Sequence, residues 1–160
     1  DKYFITLEKE IEMLTLYLQL EQLRFDEAFE FEIIVDDEID VSEIKIPPMI
    51  MQPFVENSIW HGLASQKDNK KILIEFTLNS EDILLARIND NGIGREASTK
   101  LKEQNASQSR YPSRGLSLIT ERLHILQQQY NKPFGASISD ITDKAGKIKG
   151  TQVTLSIYIL

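Results

Sequence analysis

Cysteine is absent from this 160-residue sequence. A disulfide framework and a thiolate metal site are thereby excluded, and a reducing compartment is compatible with the absence. No apolar run approaches the roughly 20 residues that a bilayer-spanning helix needs, and no signal-peptide pattern is visible at the start. Positive charge is in short supply: 18 Lys and Arg stand against 25 Asp and Glu, for a net charge of -7. Phosphate neutralisation needs clustered cations, so this balance argues against nucleic acid as a partner. What is present is ordinary for a soluble domain, with 41% hydrophobic and 27% charged residues. The length suits one domain with a proper core plus a short appendage. Its first residue is Asp, and the chain reads as a cytosolic piece of something longer.

Periodicity gives the organisation. Phe4, Leu7, Ile11, Leu14 and Leu18 recur at three- and four-residue spacing, which predicts a helix over residues 1–24 with a narrow apolar seam. Such a seam suits either a coiled-coil partner or the helix's own domain. Tyr17, Leu20 and Leu23 widen the apolar surface, so the C-terminal end is expected to rest on the domain while the N-terminal part reaches a partner. Residues 29–35 alternate as a strand. Pro47 and Pro48 suggest a helix start; Pro53 implies that the helix carrying Glu56 is kinked or begins near Gln52. Residues 71–78 and 83–88 form two β-rich runs around a turn, and 136–142 and 151–160 form two more. Between them, 115–130 has helical periodicity, whereas 95–114 is polar and reads as a mobile loop. Five strands with two to three helices predict an α/β two-layer sandwich, a mixed sheet covered on one face by helices, plus an N-terminal helix.

Two stretches carry the chemistry. Asp90-Asn91-Gly92-Ile93-Gly94 offers a carboxylate at a strand end followed by two glycines. A carboxylate can accept from the exocyclic amino group of adenine, and glycines let backbone approach the ring. Asp-Asn-Gly is also a hairpin signal, but a hairpin needs a returning strand, and Arg95-Glu96-Ala97-Ser98 is not one. Upstream, Asn57 and His61 lie four residues apart on one helical face, beside Glu56 and Trp60. An Asn oxygen is a hard ligand suited to Mg²⁺ carried on a triphosphate, although a buried Asn or a surface His is the ordinary explanation for either residue alone. The 95–114 segment holds five cations against two anions, a local +3 that leaves -10 on the rest. That segment fits either a loop closing over a polyphosphate or a solvated linker. It ends at Arg114-Gly115-Leu116, a helix start whose free N–H groups favour anions. Gly150-Thr151 precedes the last strand and could supply a hydroxyl and a close backbone.

This ordered set resembles the ATP-binding domain of the GHKL superfamily. Within it, Ile46-Pro47-Pro48-Met49-Ile50-Met51-Gln52-Pro53-Phe54-Val55-Glu56-Asn57-Ser58-Ile59-Trp60-His61-Gly62 resembles the Asn box of LytS-type sensor histidine kinases. Tyr17 to Phe25 is similar to the end of the helix that precedes it in that family. The resemblance implies a Bergerat-type fold, with 1–25 as the end of a dimerisation and phosphoacceptor-region helix and 26–160 as the ATP-binding domain. It implies that Asn57 holds Mg²⁺, His61 lines the phosphate side, and Asp90 accepts from adenine. Gly92 and Gly94 would border the base, Arg95, Arg114, Gly115 and Leu116 would meet the phosphates, and Thr151 would help enclose adenine. Glu56 would accept a proton or hold a Mg²⁺-bound water. The implied activity is γ-phosphoryl transfer from Mg-ATP to a histidine outside this fragment, in a homodimeric kinase that is membrane-anchored with this domain in the cytoplasm and passes the group to a response regulator. The other readings are a GHKL ATPase and a nucleotide-binding dimerisation module without kinase activity. Two residues depart from the family pattern: Trp60 stands where many relatives have Lys or Arg, and Gly115 stands alone where many have two glycines. Neither His61 nor His124 is in a phosphoacceptor context.

Overall fold

A computed structural model describes residues 4–24, 29–59, 69–92 and 114–159, the side chains of 114–119 excepted. Alternation of apolar and polar residues builds the sheet. Strands β2 (Phe29–Val35), β4 (Lys70–Ser80), β5 (Ile83–Asp90), β6 (Gly135–Thr142) and β7 (Ile148–Tyr158) stand in the order β2-β4-β5-β7-β6. The β2–β4 pairing is parallel and the other three are antiparallel, so the sheet is mixed as expected. Period two puts Ile72, Ile74 and Phe76, Leu84, Ala86 and Ile88, and Val153, Leu155 and Ile157 on one buried face. Helices α1 (Leu7–Arg24), α2 (Gln52–Asn57) and α3 (Arg114–Tyr130) contribute Leu7, Leu14 and Leu18, Phe54 and Val55, and Leu123 to the same core. A small ribbon, β1 (Ile5–Thr6) against β3 (Lys45–Ile46), ties the start of α1 to the segment before α2.

Two expectations are corrected. Pro47 and Pro48 do not start a helix: they end β3, and α2 begins at Gln52 with Pro53 in its first turn, where a missing N–H costs nothing. Helix α1 also packs on the domain at both ends, not at its C-terminal end alone. Phe4, Leu7, Leu14 and Leu18 are buried, and of the residues expected to widen that surface Leu20 and Leu23 are exposed. The narrow seam packs on the domain itself. Backbone contacts explain the difference, because Leu7 N–H donates to the Ile44 carbonyl (2.8 Å) and Glu8 N–H to that of Val41 (3.0 Å). These bonds satisfy donors that a helix start leaves orphaned. Among the described residues no helix is long and apolar enough to cross a membrane.

Candidate nucleotide site

The site is built at the C-terminal end of β5. Asp90 closes that strand, paired with Ile72 on one side and Thr151 on the other. Both flanks of β5 are taken by β4 and β7, so no strand returning after Gly92 could pair with it, and the hairpin reading fails. The Asn91 side chain instead secures the strand end: its Oδ1 accepts from Lys71 N–H (2.8 Å) and its Nδ2 donates to the Asn69 carbonyl. Asp90 itself points inward and is only 4% exposed.

Three donors converge on the Asp90 carboxylate. Gly92 N–H reaches Oδ1 at 2.9 Å, closing a side-chain turn of the kind aspartate favours. The Ser58 hydroxyl donates from the end of α2, and the Thr151 N–H from β7. Burial still dominates these bonds and pushes the carboxyl up to about 6 from its ordinary 3.8. An ionised carboxylate has about four acceptor positions. Three donors leave room for another.

Gly150 makes this approach possible. A Cβ there would stand 1.8 Å from the Asp90 carbonyl oxygen and 2.9 Å from the Asn91 Cα, so no side chain fits without separating β7 from β5. The close backbone expected at Gly150 is present, but it lies against β5; Ser58 was not among the expected residues. Ser58 had a readable signal. On α2 and the wider turn that continues it, Phe54, Val55 and Ile59 are buried, and Ser58 is the polar member of that face at 3% exposure. A hydroxyl in such a position needs a buried partner, which here is Asp90.

Glu56 and Asn57 lie on the opposite, half-exposed side of α2. The Ser58 contact thus brings the end of α2, and with it Asn57 one residue earlier, to the end of β5. Thr151 meets Asp90 through its backbone, and Gly92 is buried beside it. Arg114, Gly115 and Leu116 form the first turn of α3, as the sequence suggested for a helix start. His61, Gly94, Arg95 and the rest of the 95–113 segment lie outside the described residues. His124, on α3, is exposed.

No family model matches the chain. Sensor protein LytS of Staphylococcus epidermidis is 38% identical over 90 residues, covering 56% of this chain and 15% of that protein. Sensor histidine kinase BtsS of Escherichia coli is 29% identical over 145 residues, covering 91% of this chain and 23% of BtsS. Over these spans the chain is similar to sensor histidine kinases of the LytS and BtsS kind. It spans less than a quarter of the length of these relatives. Among solved structures, the histidine kinase ThkA, in its complex with the response regulator TrrA, superposes with a TM-score of 0.54. That match is 15% identical and covers 98% of this chain and 41% of ThkA, so it bears on fold alone. The two-layer architecture predicted from the sequence is therefore that of histidine kinase catalytic domains. The stretch that resembles an Asn box is the segment around α2, and the Asp90 turn faces its end.

Proposed function

We propose that this chain is a LytS-type domain that binds Mg-ATP at the junction of α2 and the end of β5 and serves as the catalytic domain of a sensor histidine kinase. The observation that carries this reading is the Asp90 carboxylate, buried and met by three neutral donors from three separate segments, with acceptor capacity to spare. Among the described residues no cation balances it, so it is suited to a neutral donor such as the adenine amino group. Gly92 and Gly94 would border the base and Thr151 would enclose its edge. Asn57, half-exposed at the end of α2, has a carboxamide oxygen able to take one position around Mg²⁺, whose other ligands would be phosphate oxygens and water. His61, Arg95, Arg114, Gly115 and Leu116 would meet the phosphates.

The reaction we infer moves the γ-phosphoryl to a histidine outside this fragment. The lone pair of an imidazole nitrogen forms the N–P bond as the bond from phosphorus to the ADP oxygen breaks, and Glu56 is the proposed acceptor of the imidazole proton. Positioning and charge neutralisation supply most of the acceleration in such transfers. Residues 1–25 would be the end of the helix region that carries the phosphoacceptor and pairs two copies, with a response regulator receiving the group afterwards. In the whole protein this domain would lie on the cytoplasmic side of a membrane anchor. Calorimetric titration of Mg-ATP into the wild-type chain, Asn57→Ala and Asp90→Asn tests the site. Binding by wild type and loss in both folded variants is expected; equal affinity in all three refutes it.

A further inference from the structure

Glu10 is a carboxylate in the first turns of α1, yet it is only 2% exposed. Its partners lie far along the chain. Oε2 accepts from Met49 N–H at 2.9 Å, Oε1 from Met51 N–H at 3.5 Å, and Ile50 N–H joins them. These three amides lead into α2, whose first residues have no side-chain cap of their own. Met49 holds a left-handed backbone, φ 58°, unusual for a residue with a Cβ. Its side chain is 51% exposed, so packing does little to hold that conformation. The hydrogen bond to Glu10 does.

We propose that Glu10 is a positioning residue, fixing the backbone of Met49, Ile50 and Met51 from α1 and thereby the placement of Asn57 and Ser58 beside Asp90. This rests on the nucleotide-site reading above. The chain of contacts is short, since α2 spans only Gln52–Asn57 between the Glu10-bound amides and Ser58. Burial raises the Glu10 carboxyl, while the three amides and the nearby Arg122 guanidinium of α3 favour its ionised form. Helix α1 is also clamped to the same segment through Leu7 and Glu8, so displacement of its first turns would pull on the entry to α2. The carboxylate thus gives α1 a grip on the site.

Wild type, Glu10→Gln and Glu10→Leu should be titrated with Mg-ATP by calorimetry at a temperature where circular dichroism shows each folded. A merely structural role lowers Tm and leaves the Kd of the folded protein unchanged. A positioning role weakens binding by about tenfold or more in folded Glu10→Leu, with Glu10→Gln, which keeps one acceptor oxygen, in between. Wild-type affinity in both folded variants overturns the proposal and leaves the nucleotide site standing. A wild-type chain that binds no nucleotide removes the site reading and this inference with it. Should both variants fail to fold, the wild type decides: Mg-ATP is expected to shift the Ile50 and Met51 amide resonances and slow their hydrogen exchange. Amides indifferent to nucleotide overturn the proposal.

Discussion

Replacing Asp90 by Asn should change how the stability of the free domain depends on pH. Burial lifts the folded-state carboxyl to about 6, against 3.8 for an ordinary aspartate. Between those values the folded chain binds a proton that the unfolded chain does not, so this group makes the domain more stable as pH falls. Above pH 6 the carboxylate is charged in both states and the full cost of burying it is present. At 1.36 kcal/mol per pH unit, that cost is about 3 kcal/mol. Asparagine does not titrate. Its amide nitrogen would face one of the three donors, but that penalty is the same at every pH. Glu10, also raised by burial, titrates in both proteins and cancels in the comparison. Urea unfolding of both proteins from pH 4 to 7 should therefore show Asp90→Asn gaining on wild type by about 2 kcal/mol, most of that cost, as pH rises. A difference independent of pH would refute the argument, because it would mean that Asp90 is not a desolvated carboxylate.

Gly150→Ala places a methyl 1.8 Å from the Asp90 carbonyl oxygen and should cost about 1–3 kcal/mol in urea unfolding as β7 shifts from β5; wild-type stability would contradict the close approach. Ser58→Ala removes a donor to the ionised carboxylate and should raise the Asp90 pKa further, read from the pH titration of its carboxyl carbon by NMR. A fall there would count against the hydrogen bond. Asn57→Ala should weaken Mg-ATP binding while leaving adenosine binding unchanged, and equal loss of both ligands would exclude a metal role. Adenosine itself does not titrate near neutrality, and its affinity should drop up to about tenfold per pH unit below about 6, as Asp90 takes up its proton.

How much could be read in advance depended on how local each signal was. The strands were legible because period-two alternation is imposed by a sheet with one buried face. The start of α2 was half legible, since Pro53 fits a first turn but Pro47 and Pro48 fit one equally well. The apolar seam of α1 was legible as a stripe through Leu7, Leu14 and Leu18, but what it would meet was not. Only the tertiary structure put the domain itself beneath it. The hairpin alternative at Asp90 was removed by topology, because both edges of β5 were already occupied.

The sequence by itself determined which groups are available: a carboxylate followed by glycine, an amide and a hydroxyl on one short helix, and the period that folds them into helix and sheet. Their meeting was decided by the tertiary structure. Ser58, Gly92 and Thr151 are far apart or ambiguous along the chain, yet all donate to Asp90. Glu10 reaches amides about forty residues away. The physical reason is that periodicity reports only which face of an element is apolar. A buried charge must be matched by donors wherever the fold can bring them, and those partners carry no local signature.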